Sequence, residues 1–86
     1  MRKAKAEGRI MNIGPKTTVW LNEIGIYTLK DLEAIGAVEA YRRLKASRPQ
    51  EVTLNALWGL QGAILNLHWN ALPPDMKAEL KAQVEE

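Results

Sequence analysis

One stretch, Val52–Trp69 (VTLNALWGLQGAILNLHW), leaves few options for the rest of the chain. At about 100° per residue, Leu54, Ala56, Leu57, Trp58, Leu60, Ala63, Ile64, Leu65 and Leu67 cover most of a helix circumference. Only the strip Asn55–Gly59–Gly62–Asn66 lacks large apolar side chains. A helix apolar nearly all round sits inside a fold, so 52–69 is expected to be a central helix with the other segments packed around it. It also carries the only histidine, His68, and two of the three tryptophans, so it is either a spine or a site.

The chain is 86 residues long, which suits one small domain. With 47% apolar and 26% charged residues it has the balance of a folded soluble protein rather than a disordered tail. No apolar run reaches the ~18 residues of a membrane span. The N-terminus, MRKAKAEGR, is basic with no apolar stretch behind it, unlike a secretory signal. There is no cysteine, hence no disulfide framework and no thiolate chemistry. A cytoplasmic location is the expectation. Net charge is +2, unevenly placed: residues 1–50 carry ten Lys/Arg against five Asp/Glu, and residues 51–86 two against five. That asymmetry hints at an anionic partner for the first half.

Residues 1–11 read as a basic arm with a short turn near Arg9–Met11. Gly14 and Pro15 suit the cap and first position of a helix. That helix, about 15–24, presents Val19, Trp20, Leu21 and Ile24, and Gly25 stops it in a left-handed cap. Thr28 with Asp31 makes a variant of the capping box for a second short helix, whose inward stripe is Leu29, Leu32 and Ile35. Gly36 separates it from a third, about 37–47, carrying Val38, Tyr41 and Leu44. Ser47-Arg48-Pro49-Gln50 breaks the chain before the central helix. A fifth helix starts at Leu72-Pro73-Pro74-Asp75, and Met76, Leu80 and Val84 form its single apolar stripe. No run alternates with a period of two for long enough to make a sheet. The expected fold is all-α.

Two patterns carry possible chemistry. A glycine turn feeding a helix start, Ile13-Gly14-Pro15-Lys16, aims backbone N–H groups and the helix dipole at an incoming anion, and Lys16 adds a charge. A nucleic-acid phosphate would suit such a mouth, with contact independent of base sequence. The same residues also read as a tight helix start with a solvated lysine. A looser echo, Ile35-Gly36-Ala37-Val38, runs into Arg42, Arg43, Lys45 and Arg48. These four are either a backbone-contacting patch or a solvated face that suits the negative helix C-terminus. His68 and Gln61, seven apart, would share one side of the central helix. With no Asp, Cys or second His nearby, His68 reads as a hydrogen-bonded structural residue. The tryptophans read as core anchors rather than stacking platforms. Gly59 and Gly62 each weaken the helix by about 1 kcal/mol relative to alanine, and a neighbouring helix in close approach would explain them. No acid–base pair, nucleophile or metal set stands out, so neither an enzyme nor a cofactor is expected.

The glycine turns resemble those of helix-hairpin-helix nucleic-acid-binding modules, although the first lacks an evident leading helix and the second lacks a lysine in its hairpin. Taken together, the landmarks resemble the C-terminal domain of the TfoX/Sxy family. The matching runs are Asn12–Lys16, Leu21–Ile26, Leu32–Leu44, Leu57–Ala63 and His68–Pro73, in order across residues 10–80. The resemblance implies a compact five-helix bundle of helix-hairpin-helix-like (SAM-like) type over residues 12–86, without enzymatic activity. Members of the family regulate natural competence, act with the transcription machinery, and normally carry an α/β domain before this one. Residues 1–11 stand in that domain's place, so the chain is expected to be a stand-alone C-terminal domain. The expected role is a non-enzymatic binding module contacting nucleic-acid backbone through Gly14, Lys16, Gly36, Arg42, Arg43, Lys45 and Arg48. The alternative is a protein–protein adaptor or self-associating domain that binds no nucleic acid. The expected partners are nucleic acid or a transcription-machinery protein, with no membrane and no small-molecule substrate.

Overall fold

Pro15 has no N–H to leave unpaired and a φ already suited to a helix, so the first helix begins there. The computed structural model describes residues 12–85; the basic arm 1–11, with its expected turn, lies outside them. Among the described residues there are five α-helices, one 3-10 turn and no strand. They are α1 (Pro15–Glu23), α2 (Leu29–Ile35), α3 (Ala37–Ser47), α4 (Leu54–Leu65), the 3-10 turn Trp69–Ala71 and α5 (Pro74–Glu85). None of these helices is long and apolar enough to cross a membrane.

The breaks between helices are local and chemical. Gly25 takes a φ of 89°, which lets the N–H of Ile26 return to the Leu21 carbonyl at 2.9 Å and close α1. Thr28 and Asp31 form a full capping box: the Thr28 hydroxyl accepts from the Asp31 N–H, and the Asp31 carboxylate accepts from the Thr28 N–H. The same carboxylate accepts from the Tyr27 N–H at 2.9 Å, the main cause holding the Asp31 pKa below its usual 3.8. Gly36 alone joins α2 to α3, at φ 85° and ψ 158°. Only glycine occupies that region routinely.

α4 is the spine. Leu57 and Leu60 are fully buried and meet Leu21 of α1, Leu32 of α2, Leu44 of α3 and Val52 in one core. Each such leucine contributes about 1.5–3 kcal/mol by leaving water. α5 lies across the outside through Leu80, with Met76 and Val84 half-buried beside it, the stripe expected from its spacing.

The central helix is shorter than the expected 52–69. It ends at Leu65, where Asn66 turns left-handed (φ 60°) and the Leu67 N–H returns to the Gly62 carbonyl at 2.8 Å. A distant residue helps to hold this exit. Asn12 donates its side-chain N–H to the Leu67 carbonyl at 2.7 Å and accepts the Trp69 N–H at 3.1 Å. Leu67 and Trp69 thus bond to Asn12 instead of continuing the helical ladder.

Asn12 also accounts for the glycine strip. A Cβ on Gly59 would lie 3.2 Å from the Asn12 carbonyl. One on Gly62 would lie 2.6 Å from the Asn12 amide nitrogen and 2.7 Å from the Leu67 carbonyl. The neighbour that needs the space is this residue and turn, rather than another helix.

Two further expectations change with the helix end. His68 and Gln61 do not share a helix face. His68 caps the 3-10 turn in solvent, its Nδ1 2.7 Å from the Asn70 side-chain oxygen, while the Gln61 amide reaches the Met76 sulfur. Trp20 is buried as an anchor, Trp58 is half-buried, and Trp69 is 42% exposed rather than in the core.

Candidate nucleic-acid interface

The start of α1 is open. Gly14 is extended (φ −81°, ψ 177°), no side chain caps it, and no acid occupies the first turn. Its carbonyl accepts both the backbone N–H and the hydroxyl of Thr18 at 2.9 Å. The N–H groups of Lys16 and Thr17 therefore head the helix with no intrahelical acceptor, on the positive end of its dipole. Lys16 is exposed, with its ammonium 5.9 Å from the centroid of the Trp20 ring.

Trp20 gathers a second cation, because the Arg48 guanidinium carbon is 5.6 Å from the same centroid. Arg48 reaches Glu23 of α1 through two contacts of 2.9 and 3.0 Å, and Glu51 at 2.9 Å. The Glu51 contact first, then Glu23, pushes its already high pKa further up. Arg48 therefore ties α1 to the loop after α3, and its charge is shared with two carboxylates. Lys45 is similarly engaged: its ammonium donates to the Pro49 carbonyl at 2.9 Å and the Val52 carbonyl at 2.7 Å, pinning the loop that leads into α4.

The start of α3 is built differently. Glu39 occupies the first turn and pairs with Arg43 at 2.9 Å, so a negative charge already meets the dipole behind Gly36. Arg42 points to α5, donating to the Gln83 carbonyl at 2.7 Å and lining an open groove with Glu79, Ala82 and Gln83. The seven residues singled out in sequence thus separate. Lys16 and Arg48 converge at Trp20 and Gly14 heads the same helix, while Lys45 serves the loop, Arg42 serves α5, and Gly36 with Arg43 forms a start of its own.

Around Trp69 lies a group that sequence reasoning did not assemble. The Lys77 ammonium of α5 is 5.7 Å from the Trp69 ring centroid and 5.8 Å from that of Trp58. The His68 ring is 5.9 Å from Trp69, tilted by 31°. The only sequence signal was the adjacency of two aromatic residues. The exit of α4 and the packing of α5 bring the lysine to them.

Comparison with known proteins gives a consistent picture. The family model of the TfoX C-terminal domain matches residues 6–84. A crystal structure of an uncharacterized protein from Listeria monocytogenes, in its triclinic form, is similar over 87% of this chain and 84% of that one, with 31% identity and a TM-score of 0.81. No curated protein matches the sequence.

Proposed function

The chain belongs to the TfoX C-terminal domain family, and from that premise we propose a non-enzymatic binding module that grips nucleic-acid backbone at the Gly14 start of α1. The supporting observation is the open helix start: N–H groups without an intrahelical acceptor, no side-chain cap among the described residues, no acid in the first turn, and Lys16 exposed beside it. A phosphate oxygen would accept from the Lys16 and Thr17 N–H groups, and the Lys16 ammonium would supply the attraction. Arg48 contributes by holding Trp20 and α1 in place. Contacts of this kind read no bases, so affinity would depend on salt more than on sequence.

The test is a titration of labelled duplex DNA by fluorescence anisotropy at several salt concentrations. Binding should weaken steeply from low to physiological salt, and Lys16→Glu should lower the magnitude of the log–log salt slope by roughly 1 without lowering the melting temperature, since an acid is favoured at this helix start. Absence of binding at the lowest salt rules the reading out.

A second reading, a protein–protein adaptor or self-associating domain, draws on Val19 and Tyr27, which are 54% and 58% exposed. Sedimentation equilibrium separates the two. A concentration-dependent dimer lost in Tyr27→Glu favours the adaptor, and a strict monomer that binds DNA favours the first reading.

A further inference from the structure

We propose that the exposed face of Trp69 is a stacking platform for an unpaired base of a DNA strand whose phosphates lie at the Gly14 start. The inference rests on the nucleic-acid reading above and adds to it the kind of DNA preferred, a single strand or an opened duplex.

Three observations converge. First, Trp69 stays 42% exposed in a chain whose other two tryptophans are buried or half-buried. Second, its backbone is fixed: its N–H donates to Asn12 Oδ1 at 3.1 Å, and the Leu67 carbonyl just before it accepts from the same Asn12 side chain. A platform held this way loses little freedom when a base settles on it. Third, cationic and aromatic side chains surround it. Lys77 places its ammonium 5.7 Å from the ring centroid, and the His68 ring lies 5.9 Å away. Indole faces stack on any base, and a neighbouring ammonium draws the phosphates that flank it.

Asn12 also locates the platform relative to the anion-binding mouth. Gly14 follows Asn12 by two residues, a backbone span of at most about 7 Å. The residue bonded to Trp69 is therefore next to the turn that opens α1. One strand could lay a base on Trp69 and a neighbouring phosphate at Gly14 and Lys16. A closed duplex, with its bases stacked inside, could use only the phosphate half.

The experiment compares a twelve-nucleotide oligo-dT with a duplex of mixed sequence, binding to the full chain, wild type and variants. Trp69→Leu should weaken oligo-dT binding by roughly tenfold or more and alter duplex binding by less than about twofold. Trp69→Phe, which keeps an aromatic face, should restore most of the lost affinity, and Lys16→Glu should weaken both ligands. Circular dichroism melts confirm that each variant is folded. Should Trp69→Leu misfold, Trp69→Phe still decides: oligo-dT should quench tryptophan emission in the wild type and much less in this variant. Oligo-dT binding that ignores Trp69→Leu while responding to Lys16→Glu overturns the platform and leaves the backbone reading standing. Duplex binding without oligo-dT binding does the same. Failure of both DNAs to bind the wild-type protein overturns the platform and the backbone reading together.

Discussion

The starts of α1 and α3 share a written signature, a hydrophobic residue and a glycine before a helix, yet they are electrostatic opposites. Gly14 lies in ordinary extended backbone and leaves an uncapped, acid-free helix start. Gly36 takes a conformation close to glycine's own and leads into a first turn that already holds Glu39. At Gly36 the glycine serves backbone geometry, allowing two helices to meet with one residue between them. At Gly14 it adds no side chain of its own to a helix start that, among the described residues, no other side chain caps. Similar glycine signatures therefore do not imply similar chemistry. What stands in the following turn decides whether a helix start can receive an anion.

Three changes would break or sharpen this contrast. The largest effect is expected from alanine at the two glycines. Gly36→Ala meets no atom within 4 Å but forces a side chain into φ 85°, and should cost about 1–3 kcal/mol in urea unfolding. Gly14→Ala, at φ −81°, should lose only the modest capping preference of glycine, under about 1 kcal/mol. Equal losses would erase the distinction. Next comes Glu39→Gln, which removes the charge from the α3 start. It should destabilise by roughly 0.3–1 kcal/mol and increase duplex affinity at low salt, making α3 resemble α1; unchanged affinity would mean that the two starts differ in more than charge. The smallest effect concerns α2, whose start is closed by its own side chains. Asp31 is more acidic folded than unfolded, so its contribution is present above pH 3.8 and is lost as pH falls through the depressed folded value. The stability gap between wild type and Asp31→Asn should therefore narrow from pH 7 to pH 3. A constant gap would show that the capping bonds, not the charge, do the work.

Most helix boundaries were legible because their causes are local. Pro15, the Thr28–Asp31 pair and Gly36 act within a turn of where they stand, and each expected start was found within a residue or two. The end of α4 was not legible. Leu65, Leu67 and Trp69 continue the apolar pattern, and what stops the helix includes an amide 55 residues upstream. The candidate site divides the same way. The Gly14 turn and the charge of Lys16 could be read from neighbouring residues. The commitments of Arg48 to Glu23, 25 residues away, and of Arg42 to Gln83, 41 away, depend on packing that no local pattern encodes. Charge could be counted in the sequence, but its availability could not.

The two bonds of Asn12 also have a kinetic meaning. They join residues 55 and 57 apart, closing the chain from Asn12 through α4 into one long loop that leaves only α5 of the α-helices outside, whereas the helices and their caps form from near neighbours. Closing so long a loop costs entropy that local contacts do not, so this clasp belongs late in folding, after α4 and its core leucines have met. A late contact slows unfolding without speeding folding. Asn12 would then set how long the α4 exit, with Trp69 on it, stays in one shape, while contributing little to how fast that shape is first reached.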